Sequence, residues 1–258
     1  MTAVDPGELA YDEHGPTDAP RMVLLHGFTQ TARCWAPFDA ALAEYHRLRL
    51  VDAPGHGASL HAHADLVDAA WLVGVAGGPA TYVGYSMGGR IALQLALDSP
   101  DLVRRLVLIS ASPGLDDHAE RAARRERDDA LAEHLEAVGV AAFLDEWLAQ
   151  PLCASLPPTR AHRNERERNT APGLAASLRA LGTGAQQPLW DRLRELRMPV
   201  LLVAGVSDAK FVGVAQQMAE AIGVNAEVAL VEGAGHTAHL EQPALTASLV
   251  LDWLHRTA

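Results

Sequence analysis

The chain is short of cysteine, lysine and long apolar runs. Its two cysteines, Cys34 and Cys153, lie far apart and in no metal-ligand spacing, which predicts free thiols in a reducing cytosol. No apolar stretch approaches the roughly 20 residues that a membrane-spanning helix needs. The first six residues also lack the basic and apolar regions of a secretion signal. The sequence therefore predicts a cytoplasmic protein without a membrane span.

Positive charge is scarce as well. The chain has 21 basic against 32 acidic residues and a formal net charge of −11, which argues against nucleic acid or an anionic membrane as the partner. Lys210 is the only lysine, so arginine supplies the other basic side chains. No pattern of residues indicates a metal or an organic cofactor, and none is expected. Which positions the arginines occupy indicates more about a binding site than how many arginines the chain has.

Short apolar runs alternate with helical stretches along most of the chain. This alternation predicts an α/β fold with a mostly parallel sheet and helices on both of its faces. The apolar runs predicted as strands are 22–25, 48–51, 80–83, 106–110, 199–205 and 227–231. From 118 to 187 the sequence is instead helical, charged and rich in arginine. We therefore expect a core of residues 1–117 and 188–258, with residues 118–187 inserted as a helical cap.

The sequence Gly84-Tyr85-Ser86-Met87-Gly88 lies between an apolar β-rich run and a helix-forming run. A serine in such a sharp strand-to-helix turn projects from the carboxyl edge of the sheet, and the glycines leave room for the tight backbone. The following helix directs backbone N–H groups and the positive end of its dipole at whatever the serine attacks. Ser86 is therefore the predicted catalytic serine.

A serine hydroxyl needs a histidine that takes its proton, and the histidine needs a carboxylate that fixes its tautomer. The expected chain order is serine, acid, histidine, with the acid after a late strand and the histidine after the last strand. Asp208 and His236 occupy these places. The alternatives are His239 and His255 for the histidine and Asp191 for the acid, and Asp208 could also act as a helix N-cap.

Charge that develops on a substrate oxygen needs two backbone donors. One is predicted at Met87, directly after the serine. The other is predicted in the loop after the strand at 22–25, at the N–H of Phe28. Together, the N–H groups of Met87 and Phe28 form the predicted oxyanion hole.

With these motifs the chain resembles the α/β-hydrolase superfamily. Within that superfamily it is similar to the SHCHC synthase family of menaquinone biosynthesis. The superfamily resemblance rests on His26-Gly27-Phe28, Pro54-Gly55-His56-Gly57, the serine motif and Gly233-Ala234-Gly235-His236. The narrower one rests on five segments: Tyr85–Arg90, Ser110–Leu115, Gly173–Arg179, Gly182–Gln186 and Asp208–Phe211. The resemblance implies the α/β-hydrolase fold and a carbon–oxygen lyase that eliminates pyruvate from the tricarboxylate SEPHCHC to form SHCHC, without a cofactor.

The resemblance also implies a pocket for a polycarboxylate, the expected small-molecule partner. Arg90, Arg124 and Arg168 are the implied carboxylate-binding residues, and Tyr85 and Trp147 are the implied pocket walls. Interleaved acidic residues leave open that the cap arginines form an ordinary solvated helix face. Two other activities remain, a carboxylesterase and a carbon–carbon bond hydrolase, as does a non-catalytic small-molecule receptor on the same fold.

Overall fold

The structure is a computed structural model that describes residues 8–257. Its strands are β1 Tyr11–His14, β2 Arg21–Leu25, β3 Arg47–Val51, β4 Ala80–Tyr85, β5 Val103–Ile109, β6 Val200–Gly205 and β7 Ala226–Val231. Its helices are α1 Phe38–Ala43, α2 Leu66–Gly77, α3 Met87–Asp98, α4 His118–Leu148, α5 Arg163–Arg166, α6 Ala171–Leu181, α7 Ala209–Ile222, α8 Ala238–Glu241 and α9 Pro243–Arg256.

The described strands form one seven-stranded sheet in the order β1-β3-β2-β4-β5-β6-β7. Only β1 is antiparallel to its neighbour, and Tyr11 pairs there with Val51. In the middle of the sheet, Val83 of β4 pairs with Leu24 on one side and Val107 on the other. The predicted, mostly parallel sheet is confirmed. Strand β4 is the central strand, so the residue that follows its carboxyl end lies in the middle of the row of strand ends.

Successive residues of a strand point to opposite faces of the sheet. Because the central strands carry apolar side chains on both faces, helices cover both faces. In β2, Val23 and Leu25 pack into the core with α2, α3 and α7. Met22 and Leu24 pack into the core on the other face, with α1 and α9. All four side chains are fully buried. A strand that is buried on both faces is apolar throughout, which is why its sequence shows a continuous run.

Strand β1 is absent from the predicted strands, and helix α2 lies in a segment for which no element is predicted. The four residues of β1 are all exposed, so this edge strand has no apolar run. Helix α2 begins after Asp65, whose carboxylate accepts hydrogen bonds from the N–H groups of Val67 and Asp68. Its small apolar side chains pack against α3. Neither element contributes a side chain to the site described below.

The helical insertion, residues 118–187, lies between β5 and β6 and contains no strand. Its long helix α4 is interrupted at Gly139, where φ is 80°. Helices α4 and α6 pack through a small apolar core of their own: Ala132, Leu135, Phe143, Leu174, Ala175 and Leu178. Within residues 8–257, no helix has the length and apolarity that crossing a membrane requires.

Candidate active site

Ser86 lies in the sharp turn between β4 and α3. Its backbone has φ 49° and ψ −107°, a strained conformation for a residue with a side chain. The turn is possible because its neighbours are small. A Cβ atom on Gly84 would lie 2.5 Å from the carbonyl oxygen of Gly88, and one on Gly88 would lie 2.0 Å from that of Leu25. The predicted serine turn is therefore present, and packing of the surrounding backbone maintains its strain.

The structure brings Ser86, His236 and Asp208 together. His236 Nε2 lies 3.3 Å from Ser86 Oγ, and His236 Nδ1 lies 2.8 Å from Asp208 Oδ2. The second oxygen of the Asp208 carboxylate accepts a hydrogen bond of 3.3 Å from the N–H of Phe211, at the start of α7. Asp208 is therefore both the carboxylate beside His236 and the N-cap of α7.

The position of His236 is fixed by aromatic neighbours of its ring and by hydrogen bonds to the backbone on either side of it. It is 4% exposed, and the rings of Tyr85 and Phe211 lie 5.6 and 4.6 Å from its centre. Its backbone is fixed by Glu241, a buried carboxylate on α8. Glu241 Oε2 accepts a hydrogen bond of 2.6 Å from the N–H of Gly235, and Oε1 accepts one of 2.9 Å from the N–H of Thr237. The residues directly before and after His236 are thus attached to one side chain.

The alternative residues lie elsewhere. His239 is fully buried against the rings of Trp35 and Tyr85, and neither of its ring nitrogens has a hydrogen-bond partner within residues 8–257. Burial lowers the pKa of His239 well below its usual value. His255 and Asp191 are both exposed. Among the described residues, none of these three side chains is hydrogen-bonded to Ser86.

The two predicted oxyanion donors lie beside the serine. Phe28 and Met87 line the same cavity as Ser86. As the first residue of α3, Met87 has no acceptor within the helix for its N–H group. In the loop before Phe28, the side-chain oxygen of Gln30 accepts a hydrogen bond of 2.9 Å from the N–H of Gly27. Gln30 therefore fixes the turn that directly precedes Phe28.

The helical insertion is tied to this loop through two buried polar side chains that sequence reasoning does not identify. Asn169 Nδ2 donates to the carbonyl oxygen of Thr29 at 2.8 Å, and the guanidinium of Arg166 donates to the Thr29 hydroxyl. Asn169 Oδ1 accepts from the N–H of Gly57 at 2.8 Å. Thr29 itself has a positive φ of 67°. The insertion and the loop that carries Phe28 are therefore held together.

Ser86 and His236 line a cavity of about 390 Å³, and this volume suits a small-molecule ligand. Its walls come from the sheet edge, α7 and the insertion. Besides the residues already named, the lining side chains include Arg90, Ser112, Asp116, Arg124, Trp147, Ser177, Leu178, Trp190, Lys210 and Val214. Within residues 8–257, no group of three histidine, cysteine or acidic side chains is arranged to hold a metal ion.

Arg90 and Arg124 are the two predicted arginines that the structure places at the cavity. Arg90 is 8% exposed and donates hydrogen bonds to the side-chain oxygen of Gln186 at 2.9 Å and the carbonyl oxygen of Leu181 at 2.5 Å. Burial, and next the positive charge of Arg124, lower the pKa of Arg90 to about 10. Arg124 Nε donates to Asp128 Oδ1 at 2.8 Å. Both guanidinium groups are thus oriented by the insertion.

Trp147 also lines the cavity, where its ring packs at 5.1 Å against Phe28. The other two predicted binding residues are placed outside it. Tyr85 points away from the cavity and is buried beneath His236, because its strand position directs the side chain into the core. Arg168 is exposed, and its Nε lies 3.5 Å from Glu165 Oε2. The expectation that Tyr85 and Arg168 line the pocket therefore does not match the structure.

Sequence reasoning also misses Lys210 as a cavity residue. Lys210 lies on the first turn of α7, two residues after Asp208. Its position and its status as the only lysine of the chain were visible in the sequence. Trp190 and Ser177 line the cavity as well. They come from segments that lie beside the site only in the tertiary structure, so no local pattern identifies them.

The chain matches the model of the alpha/beta hydrolase family over residues 22–249. It is 35% identical to a Bacillus subtilis protein assigned as a 2-succinyl-6-hydroxy-2,4-cyclohexadiene-1-carboxylate (SHCHC) synthase, over 98% of this chain and 97% of that protein. The SHCHC synthase of Klebsiella pneumoniae is 34% identical, over 94% of this chain and 93% of that enzyme.

Among solved structures, MenH from S. aureus superimposes with a TM-score of 0.89 and 31% identity, over 100% of this chain and 99% of that chain. These matches extend over the sheet, the serine turn and the insertion alike. They confirm both the fold and the narrower resemblance that the sequence motifs indicate. The chain therefore belongs to the alpha/beta hydrolase family and, within it, to the SHCHC synthases.

Proposed function

We propose that this chain is a carbon–oxygen lyase that eliminates pyruvate from SEPHCHC to form SHCHC. One observation carries the proposal beyond family membership. Ser86 and His236, to which Asp208 is hydrogen-bonded, share one cavity with Arg90 and Arg124. A proton-abstracting group and fixed positive charges are what an elimination from a polycarboxylate requires.

The proposed reaction begins with proton transfer. Asp208 accepts the Nδ1–H of His236, which fixes the tautomer that presents an unprotonated Nε2 to Ser86. The Ser86–His236 pair then removes the acidic proton from the substrate ring. The electron pair of the broken C–H bond forms a new C=C bond of the diene. The electrons of the C–O bond leave with enolpyruvate, which takes up a proton and becomes pyruvate.

Negative charge that develops on a substrate oxygen during this step is stabilised by backbone donors. The N–H groups of Met87 and Phe28 are the proposed pair, because both residues line the cavity beside Ser86. Removing one such donor from an enzyme typically costs about 3 kcal/mol of transition-state stabilisation. No acyl-enzyme forms in this scheme, so Ser86 acts in proton transfer.

The arginines bind substrate carboxylates in this proposal. An arginine and a carboxylate form charge-assisted, often bidentate hydrogen bonds. Burial strengthens such an interaction because the surrounding dielectric is low. Arg90 is only 8% exposed, so its bond to a carboxylate would gain from this effect. Trp147 forms the apolar wall across from the loop of Phe28. The pocket therefore favours an anionic substrate over a neutral ester.

We also propose that residues 118–187 act as a cap over a core of residues 1–117 and 188–258. Support comes from α4 and α6, which supply Arg124, Trp147 and Leu178 to the cavity. The first seven residues and the last one lie outside the described range. The proposed compartment is the cytoplasm, since both cysteines are free.

The test is the release of pyruvate from SEPHCHC by the purified protein, followed by ultraviolet absorbance of the diene. A panel of carboxylic esters and a carbon–carbon hydrolase substrate run in parallel, and Ser86→Ala is the matched control. We expect rapid release of pyruvate that Ser86→Ala lowers by about 10³-fold or more, and feeble ester cleavage.

Two results would contradict the proposal. Brisk ester or carbon–carbon cleavage that requires Ser86, without pyruvate release, would make the chain a hydrolase. Binding of SEPHCHC without turnover, equal in the wild-type protein and in Ser86→Ala, would make it a receptor. Because Ser86→Ala removes only a hydroxyl group, an unchanged melting temperature shows that its loss of activity is chemical.

A further inference from the structure

Three cationic side chains line the cavity within the described part of the chain: Arg90, Arg124 and Lys210. The two arginines come from α3 and α4, whereas Lys210 comes from the first turn of α7. Arginine and lysine thus reach the cavity from different elements of the fold.

The three cations differ in what they already bind. Arg90 donates to Gln186 and Leu181, and Arg124 donates to Asp128. For Lys210, by contrast, the structure shows neither a hydrogen bond nor an ion pair among residues 8–257. Its ammonium nitrogen lies 5.7 Å from the centre of the Phe211 ring, a loose contact. Lys210 therefore has its hydrogen-bonding capacity available for a ligand.

The nearest carboxylate in sequence does not occupy this lysine. Asp208 lies two residues earlier, but its oxygens bind His236 and the N–H of Phe211. Since both of its oxygens are engaged, Asp208 holds the imidazole rather than the ammonium group. Lys210 is also exposed, so its flexible side chain can meet an anion at low desolvation cost.

We propose that Lys210 binds one carboxylate of the substrate and is a specificity-determining residue of this site. The proposal rests on the proposed function, whose substrate is a tricarboxylate. Arg90 and Arg124 supply two of the positive charges that three carboxylates require, and Lys210 supplies the third. It takes the place in the pocket that the family resemblance implies for Arg168, a residue that is exposed in the structure.

The first test uses the fact that Lys210 is the only lysine of the chain. Reductive methylation with formaldehyde and cyanoborohydride labels amines and leaves ketones intact, so Lys210 and the α-amino group are the only reactive sites. The Ser86→Ala protein is labelled with and without SEPHCHC, and mass spectrometry reads each site separately. We expect SEPHCHC to slow methylation of Lys210 at least tenfold and to leave the α-amino group unaffected. Equal methylation of Lys210 with and without bound SEPHCHC would overturn the proposal.

The second test is kinetic. In Lys210→Met, the KM for SEPHCHC should rise roughly 10- to 100-fold, the effect of losing one charge-assisted hydrogen bond, with little change in kcat. Lys210→Arg should recover most of this loss because it restores the charge. The matched control is Arg168→Met, which also removes an exposed cation but one outside the cavity. It should leave KM unchanged.

The outcomes separate this proposal from the proposed function. If the wild-type protein releases no pyruvate from SEPHCHC, the proposed function fails whatever Lys210 does. If the wild-type protein is active and Lys210→Met has the KM of Arg168→Met, the function stands and the role of Lys210 is refuted. A melting temperature of Lys210→Met close to that of the wild type is expected, since the side chain is exposed and the structure shows no hydrogen bond or ion pair for it among residues 8–257.

Discussion

Replacing Glu241 by glutamine should both destabilise the protein and slow its reaction. Glu241 is 5% exposed, and its carboxylate accepts three hydrogen bonds: from the N–H of Gly235 at 2.6 Å, from the N–H of Thr237 at 2.9 Å and from the Thr237 hydroxyl at 2.7 Å. Glutamine has the same shape but only one acceptor oxygen. If that oxygen keeps the two bonds to Thr237, the amide NH₂ group faces the N–H of Gly235.

The magnitude follows from this change. One charge-assisted hydrogen bond is lost and a buried N–H group is left opposite another donor, at a cost of about 1–3 kcal/mol in the free energy of unfolding. For a chain of this length each kcal/mol lowers the melting temperature by about 2–4 °C. Gly235 directly precedes His236, so the imidazole also shifts relative to Ser86 and Asp208. A displacement near 1 Å is expected to lower kcat by roughly 100-fold, with KM little affected.

The assay combines scanning calorimetry with pyruvate release from SEPHCHC. Glu232→Gln is the matched control, because Glu232 is an exposed glutamate in the loop that leads to Gly235. Glu241→Gln should melt below this control and have a lower kcat at unchanged KM. If both variants show the same melting temperature and the same kcat, the hydrogen bonds of Glu241 do not position the loop, and the reasoning is wrong.

Three further predictions concern acid, the serine turn and the buried arginine. Burial lowers the pKa of His26 to about 4 and of His56 to about 3, against 6.5 for the free side chain. The contribution of these two neutral histidines to the free energy of unfolding is therefore complete above pH 6.5. It is lost as the pH falls from 6.5 towards their pKa values in the folded protein. Each histidine accounts for about 2 kcal/mol at pH 5, so His56→Gln should flatten the fall of melting temperature with acid; an unaltered slope would contradict this. Gly88→Ala should unfold the protein or cost about 4 kcal/mol or more, because its Cβ atom would meet a backbone carbonyl of β2 at 2.0 Å. Gly213→Ala, with no atom within 4 Å of the new Cβ, should leave the melting temperature unchanged or raise it in the same calorimetry. Arg90→Met should raise the KM for SEPHCHC roughly 10- to 100-fold in initial-rate measurements, and an unchanged KM would exclude a carboxylate contact.

Much of the fold is legible in the sequence because a parallel sheet buries its strands on both faces. The central strands are continuous apolar runs, such as Ala80–Tyr85 and Val200–Gly205, and every residue in these two strands is buried. The edge strand Tyr11–His14 has no such run, because all four of its residues are exposed. Burial on both faces leaves a sequence signal, and burial on neither face leaves none.

Ser86, Asp208 and His236 could be located for a related reason. Parallel strands bring their carboxyl ends to one edge, so residues that follow three different strands meet there although they are far apart in the chain. Each of the three also stands in a recognisable local turn. Their approach within 3.3 and 2.8 Å is a consequence of the sheet order β4-β5-β6-β7.

The sequence by itself thus determined the alternation of strands and helices, the strained turn at Ser86 and the order of the site residues. Only the tertiary structure decided which cations reach the cavity. Arg124 and its helical neighbours Arg125 and Arg127 look alike in sequence, but packing of α4 against α6 turns Arg124 inward and leaves the other two exposed. Arg168 likewise pairs with Glu165 on the surface, whereas α7 presents Lys210 to the cavity. The physical reason is that side-chain direction on an inserted helix depends on its packing against another element, and no local pattern encodes that contact.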